Sequence, residues 1–275
     1  MKKWYAVIGD PIAHSLSPFM HDLWMVEHGV DASYIPVHVK PARLKESFDA
    51  LKTLGVGGFN ITLPHKQAIV PFLDELDETA IIMDAVNTVT FDGQSYKGWN
   101  TDGDGFVRSL MTEQIALHEK VLIIGAGGAA RGIAFALKRA NFHDVSIANR
   151  TYQRAEELAA ATGSEAITMQ DAEKSLGDFR IIIQTTSVGL AEGEALPLSL
   201  DQIQPDSLVA DIIYTPLETP FLKAAKEKGC RILNGVGMFV YQGAIAFEKW
   251  TGIRPDTEKM IHIITDKLGG NYVNR

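Results

Sequence analysis

Short apolar runs alternate along this chain with segments whose apolar residues recur at helical spacing. "YAVIG" (5–9) predicts a strand. "SPFMHDLWMVEHG" (17–29) predicts a helix, with Ser17 as N-cap, Pro18 at its first position and Gly29 just past its end. "SYIPVHV" (33–39) reads as a strand in which Pro36 removes one ladder donor. "PARLKESFDALKTLG" (41–55) places Leu44, Phe48, Leu51 and Leu54 on one helical face and stops at Gly55. "GFNITLP" (58–64) predicts a third strand, so the first stretch is a βαβαβ run, the signature of a parallel sheet. In "NTVTFDGQSYKGW" (87–99), Asp92-Gly93 separates two alternating strands, which predicts a hairpin.

A helix is expected over 103–115, then a second unit opening at "KVLIIGAGGAARGIAFALKRAN" (120–141). Further strands are expected at 145–148, 180–184 and 207–213, and two helical patterns follow "NGVGMFVYQGAIAFEKWTG" (234–252). The fold class is therefore α/β in two domains, a mostly parallel N-terminal sheet domain and a Rossmann-type domain.

Length and charge narrow the function classes. At 275 residues the chain is comfortable for two domains, and its 46% hydrophobic and 22% charged residues are those of an ordinary globular protein. A net charge of −8 argues against nucleic-acid and anionic-membrane partners, which need a basic face. No apolar stretch reaches the roughly 20 residues of a membrane span. The single cysteine, Cys230, excludes an intrachain disulfide and reads as a small buried hydrophobe in a cytoplasmic protein. The histidines show no metal-ligand spacing; His14, His21 and His28, at seven-residue steps, read as decoration of a helix face, and no metal is expected.

Candidate chemistry begins at Gly125-x-Gly127-x-x-Ala130, between an apolar strand and an amphipathic helix. Gly125 permits a tight turn, Gly127 lets a pyrophosphate approach the backbone, and Ala130 allows close helix–strand packing. The helix N-terminus adds unpaired N–H groups. After the next strand, where NAD-binding proteins carry an acidic residue, this chain reads Asn149-Arg150-Thr151 with Arg154 a turn later. Guanidinium groups there bind a 2′-phosphate by charge-assisted bonds, which selects NADP. Polar clusters end the other strands: Ser15 and Ser17; Asn60, Thr62 and Lys66 in "FNITLPHK"; Asn87; and Asn100, Thr101 and Asp102. Together they suit a polyhydroxylated, acidic small molecule.

"HSLSPFMHD", "FNITLPHK", "AVNTV", "GWNTDGDGF", "GAGGAAR", "NRTYQRA", "IIQTTSVGL", "DIIYTPLETPFL" and "NGVGMFVYQGAIAFEKWTG" occur in that order, and this ordered set resembles the shikimate dehydrogenase family from about residue 5 to residue 253. The resemblance implies NADP-dependent interconversion of shikimate and 3-dehydroshikimate in aromatic amino-acid biosynthesis. It implies a substrate-binding and catalytic domain over 1–101, completed by 238–275, and an NADP-binding domain over 102–237. Lys66 and Asp102 match the family's catalytic pair. Ser15, Ser17, Thr62 and Tyr214 match positions that hold the substrate carboxylate; Asn60, Asn87 and Gln242 match positions that contact its hydroxyls or ring. Gly125, Ala126, Gly127, Gly128, Ala129, Arg131, Asn149, Arg150, Thr151, Arg154, Thr186, Gly235 and Met238 match the cofactor side. Gln184-Thr185-Thr186 departs from the family's frequent Asn-Ala-Thr, which predicts a small local rearrangement beside the nicotinamide.

Oxidising a secondary alcohol removes a hydride and a proton from one carbinol; the nicotinamide takes the hydride and a positioned side chain handles the proton. A small-molecule enzyme working as a monomer or homodimer is expected. The nearest alternative is a quinate/shikimate dehydrogenase that accepts NAD, which the neighbourhood of Ser15, Ser17 and Thr62 should distinguish. A non-catalytic, ligand-binding regulator on the same fold would lack Lys66 or Asp102, and both are present. Another Rossmann enzyme, such as a folate dehydrogenase, explains the glycine turn but not the serine pair or "WNTDGDG".

Overall fold

The computed structural model describes residues 2–188 and 195–269. The elements run β1 (Lys3–Gly9), α1 (Ser17–Glu27), β2 (Ala32–His38), α2 (Leu44–Thr53), β3 (Gly58–Ile61), α3 (His65–Ala68), β4 (Glu75–Leu76), α4 (Glu78–Met83), β5 (Thr88–Phe91) and β6 (Tyr96–Trp99). They continue with α5 (Asp102–Leu110), β7 (Val121–Ile124), α6 (Gly128–Arg139), β8 (Val145–Ala148), α7 (Tyr152–Thr162), β9 (Glu165–Ile167), α8 (Met169–Lys174) and β10 (Ile181–Gln184). The last are β11 (Leu208–Asp211), α9 (Pro220–Glu227), β12 (Arg231–Leu233), α10 (Val236–Thr251) and α11 (Thr257–Lys267). One helix, not two, follows Gly252 among the described residues.

Two compact units result. The first comprises Met1–Thr101 and Gln242–Met260; the second comprises Asp102–Tyr241 and the described residues from Ile261 on. Helix α10 thus begins in the second unit and ends in the first.

The first unit's sheet has the order β2-β1-β3-β5-β6-β4. β1 pairs parallel with β2 and β3, and the expected hairpin β5–β6 is antiparallel and joins β3 antiparallel. The sheet is therefore mixed. Asp92 closes the hairpin turn by accepting from the backbone N–H groups of Gln94 and Ser95, each at 2.8 Å. Pro36 is tolerated because β2 is an edge strand and one side needs no ladder donor. Ala6, Ile8, Phe48, Leu51, Phe59, Ile61, Val86 and Val89 fill one core. Within this unit, Trp250 of α10 donates to the Val89 carbonyl at 2.9 Å and stacks on Tyr5 with centroids 5.0 Å apart. A Cβ at Gly58 would overlap the Trp250 indole, so that glycine is required by close approach.

The second unit's sheet is wholly parallel, with order β12-β11-β10-β7-β8-β9. Counted from β7, this is the 3-2-1-4-5-6 order of the doubly wound dinucleotide-binding fold. Alternate residues bury on opposite faces: Val121, Ile123, Ile181 and Ile183 on one side, Leu122, Ile124 and Ile182 on the other. Helices cover both faces, hence the unbroken apolar strands. Gly103 of α5 packs against the Gly132 carbonyl of α6, where any side chain would collide with backbone. Cys230 is buried in this core, and burial raises its thiol pKa. No described helix is long and apolar enough to cross a membrane.

Two local expectations are corrected. Ser17 is the first residue of α1 and Leu16 occupies the cap position, with no side-chain cap bond, so the Ser17 hydroxyl is not used for capping. His21 does not decorate a surface. It is fully buried, stacked on Tyr34 with centroids 4.4 Å apart and surrounded by Trp24, Phe247 and Trp250. A seven-residue step places side chains on one helical face but does not say which face meets the core.

The His21 ring nitrogens have no hydrogen-bond partner among the described residues, and burial pushes the pKa down to about 3. Unfolding between that value and the ordinary 6.5 takes up a proton the native state does not hold. This group's effect is absent above about pH 6.5, and below it stability is lost as pH falls toward 3, by about 1.4 kcal/mol per pH unit. The expected result is a urea midpoint that drops from pH 7 to pH 5, and a smaller drop in His21→Phe. An equal drop in both proteins would show that other groups set the acid sensitivity.

Candidate active site

In the first unit, the residues after β1 and β3 meet. Gly9 lies against the Thr62 methyl and leaves no space for a Cβ there. Thr62 N–H donates to the Ile8 carbonyl at 3.0 Å, and Asp10 N–H to the Leu63 carbonyl at 3.1 Å. Ser15 and Ser17 are held together by a 3.3 Å bond from the Ser17 N–H to the Ser15 hydroxyl. Lys66 stands on the one-turn helix α3, half-buried. Two bonds fix that turn: the Lys66 carbonyl accepts from Val86 N–H at 2.8 Å, and buried His65 pairs its Nε2 with the Val39 carbonyl at 2.6 Å. His65 is a supporting residue that no motif reading selected.

Asn60, Asn87 and Gln242 also belong to this unit, and they are linked by a run of hydrogen bonds with one consistent sense. Tyr34 Oη donates to Asn60 Oδ1 at 2.7 Å, and Asn60 Nδ2 donates to Thr88 Oγ1 at 3.0 Å and to the Asn87 carbonyl at 3.1 Å. Thr88 Oγ1 donates to Asn87 Oδ1 at 3.0 Å; Asn87 Nδ2 donates to Thr101 Oγ1 at 3.0 Å; Thr101 Oγ1 donates to the Gln242 carbonyl at 3.1 Å. Asn60, Asn87, Thr88 and Thr101 are all buried. Both Asn60 amide protons are thus used inside the protein. Asn100 is likewise structural: its Nδ2 donates to the Ala85 carbonyl at 3.0 Å.

In the second unit, Gly125 adopts a φ of 116°, and a side chain there would overlap Thr185 and Thr186. Gly127 caps α6, and a Cβ at Gly127 or Gly128 would meet nothing within 4 Å. The turn therefore presents open backbone N–H groups at a helix N-terminus, a fitting seat for a pyrophosphate. Ala130 is fully buried against the strand. Arg131 lies over the Phe135 ring at 5.3 Å. After β8, Asn149 Nδ2 donates to the Thr151 carbonyl at 2.8 Å, Thr151 caps α7 without a side-chain bond, and Arg150 and Arg154 are exposed.

Neighbouring strands β7 and β10 mark the point where strand order reverses, and Gln184 ends β10 there, opposite Ile124. Gln184 is buried and folds back on its own loop: Oε1 accepts from Thr186 N–H and Oγ1, each at 3.2 Å, and Nε2 donates to the Val188 carbonyl at 3.2 Å. The "IIQTTSVGL" motif runs on into 189–190, outside the described residues.

Tyr214 belongs to this unit, half-buried beside Phe239. Its loop is tied by Asp211, which accepts from Ile213 N–H at 3.0 Å and from the Thr219 hydroxyl at 2.8 Å. Burial raises the pKa of both Tyr214 and Asp211. Gly235 packs on the Ile212 carbonyl, and Met238 lies against the core of this unit. Asp102 opens α5 and belongs to the second unit, whereas Lys66 belongs to the first. No cluster of metal-ligating side chains occurs among the described residues.

A wholly parallel sheet in 3-2-1-4-5-6 order, with a glycine turn at the reversal of strand order, defines a Rossmann-type oxidoreductase class. Three family models match in order: the shikimate dehydrogenase substrate binding domain at residues 7–89, shikimate/quinate 5-dehydrogenase at 110–191, and the shikimate 5′-dehydrogenase C-terminal domain at 235–264. The shikimate dehydrogenase (NADP(+)) of Lysinibacillus sphaericus is 52% identical, over 98% of this chain and 100% of its own. Two solved structures are similar. Shikimate 5-dehydrogenase from Listeria monocytogenes, in complex with shikimate and NAD, has TM-score 0.88 and 33% identity over 96% of each chain. The Thermus thermophilus enzyme, in complex with NADP(H) and shikimate, has TM-score 0.86 and 37% identity over 94% of this chain and 97% of its own. The chain belongs to the shikimate dehydrogenase family.

Proposed function

We infer that the chain catalyses the NADP-linked interconversion of shikimate and 3-dehydroshikimate. The observation that carries the reading is a family match along nearly the whole chain, joined to a glycine turn followed by two exposed arginines where NAD-binding folds place a carboxylate. Gly125, Ala126, Gly127, Gly128 and Ala129 would seat the pyrophosphate, with Arg131 beside them. Asn149, Arg150, Thr151 and Arg154 would hold the 2′-phosphate, and Thr186, Gly235 and Met238 would face the nicotinamide end. NADP, when bound, supplies the hydride acceptor.

On the substrate side, Ser15, Ser17, Thr62 and Tyr214 would hold the carboxylate, and Asn87 and Gln242 would meet ring hydroxyls. With its own amide protons engaged, Asn60 would orient Asn87 more than touch the ligand. Lys66 and Asp102 would handle the carbinol proton. The domain assignment follows from these roles: residues 1–101 with the returning C-terminal segment bind substrate, and 102–237 bind NADP. Work in the cytoplasm, as a monomer or homodimer, in aromatic amino-acid biosynthesis fits the same reading.

The expected result is absorbance change at 340 nm with shikimate and NADP⁺, and far slower turnover when quinate or NAD⁺ replaces either one. Comparable rates with quinate or NAD⁺ would move the chain to the broader quinate/shikimate class. No turnover in any combination would overturn the catalytic reading.

A further inference from the structure

Asp211 ends β11 at the carboxyl end of the second unit's parallel sheet, in register with Gln184 of β10. Among the described residues it is the only buried carboxylate, 3% exposed, and its hydrogen-bond partners are neutral. Taking a carboxylate out of water with neutral partners alone costs stability. A position that bears this cost at the carboxyl ends of parallel strands, where doubly wound folds bind their ligands, points to a role in the site.

Its two oxygens close a loop. Oδ1 accepts from the Ile213 N–H at 3.0 Å and Oδ2 from the Thr219 hydroxyl at 2.8 Å, so one side chain joins the two ends of 212–219. The Thr219 oxygen accepts from Leu222 N–H at 3.3 Å as the cap of α9, which leaves its proton for Asp211. Both Asp211 oxygens therefore meet protons, an arrangement that a carboxylate satisfies and an amide, with its single oxygen, does not. Two further bonds tie the loop to the turn between β12 and α10. Gly235 N–H donates to the Ile213 carbonyl at 3.0 Å, and Asn234 Nδ2 donates to the Leu217 carbonyl at 3.1 Å. Tyr214 follows Ile213 directly, and its ring leans on Phe239 with centroids 5.3 Å apart.

We propose that Asp211 is a positioning residue for Tyr214: it closes the loop 212–219 so that the phenol is presented in one place to the substrate carboxylate. The inference rests on the proposed function, which gives Tyr214 that contact, and it adds a buried group that the chemistry itself does not use. Asp211→Asn keeps shape and volume but turns an amide nitrogen toward one of the two donors, which opens the loop at Ile213 or at Thr219. The Tyr214 phenol then samples several positions, and binding shikimate has to order it again.

The experiment compares Asp211→Asn, Thr219→Val and Thr219→Ser with the unmodified chain, alone and combined with Tyr214→Phe, by steady-state kinetics, shikimate titration calorimetry and thermal melting. Expected is a rise of about tenfold in both KM and Kd for shikimate in Asp211→Asn and in Thr219→Val, the size of one lost buried hydrogen bond. Thr219→Ser keeps the hydroxyl and the cap, and should stay within about twofold of the unmodified chain. Tyr214→Phe keeps the ring on Phe239 and removes only the phenol oxygen. In that background Asp211→Asn and Thr219→Val should each add less than about twofold, because the group they position is gone. A merely structural role predicts the opposite, a full further loss multiplied onto that of Tyr214→Phe.

Shikimate KM and Kd unchanged in both Asp211→Asn and Thr219→Val would overturn the proposal, as would independent losses in the Tyr214→Phe background. If melting shows Asp211→Asn to be unfolded, Thr219→Val decides by the same two criteria, with Thr219→Ser as its folded reference. If Tyr214→Phe alone leaves shikimate binding intact, or the unmodified chain neither turns over nor binds shikimate, the functional reading fails first, and the proposal with it.

Discussion

Replacing Lys66 by alanine is expected to lower kcat for shikimate oxidation by two to four orders of magnitude, roughly the share of a rate that a positioned acid or base supplies. The KM for shikimate should move by no more than a fewfold. The physical reason lies in the turn that carries the lysine. His65 and the Lys66 carbonyl lock α3 to the Val39 carbonyl and the Val86 N–H, so the side chain starts from a fixed backbone. Truncation at Cβ leaves both anchors in place and removes the amine together with the stem that carries it. The informative companion is Lys66→Arg. A guanidinium keeps the positive charge but does not release a proton in the working range. If Lys66 moves a proton, Lys66→Arg should be nearly as slow as Lys66→Ala; if it only supplies charge, Lys66→Arg should recover much of the rate. A kcat unchanged in Lys66→Ala would remove the residue from the chemistry.

How far such residues are legible depends on the range of the interaction that gives them meaning. Gly125 was legible because its requirements are local: a strand before, a helix after and a turn with φ of 116° between. The hairpin was legible for the same reason, since Asp92 satisfies N–H groups two and three residues away. Asn60 was recognised as polar and placed at a strand end, but its partners Tyr34 and Thr88 lie 26 and 28 residues off, and periodicity carries no record of them. The strand-end position was legible; the partners that fix its amide were not.

Tyr34 was invisible for a related reason. Its neighbour Pro36 marks an exposed edge strand, and the burial of this one position comes from α1 and α10 covering the ring. His21 was misread because helical spacing identifies a face without its neighbours. Thr101, seen only as one of a polar cluster, became interpretable once the returning segment placed the Gln242 carbonyl beside it.

The cofactor side tests whether exposed charge has a reason to exist. Arg150 precedes the Thr151 cap of α7 and Arg154 sits in the first turn, where the helix dipole disfavours cations by about 0.3–1 kcal/mol each. Neither guanidinium is in an ion pair among the described residues, so the free protein gains little from either one. A 2′-phosphate reverses the balance, because each arginine can then make charge-assisted hydrogen bonds. The double replacement Arg150→Ala/Arg154→Ala should therefore raise the Kd for NADP⁺ by about 100-fold, close to tenfold per exposed contact, and leave the NAD⁺ affinity nearly unchanged. The melting temperature of the cofactor-free protein should hold or rise slightly, since two cations leave a helix N-terminus. Adding Asn149→Asp to that pair supplies an acceptor for a ribose 2′-hydroxyl and should shift the preference toward NAD⁺. Equal losses for both cofactors would mean that the arginines serve the turn and not the phosphate. A lower melting temperature without cofactor would point to the same structural role, whereas selective loss of NADP⁺ on an intact fold requires that the two side chains read the extra phosphate.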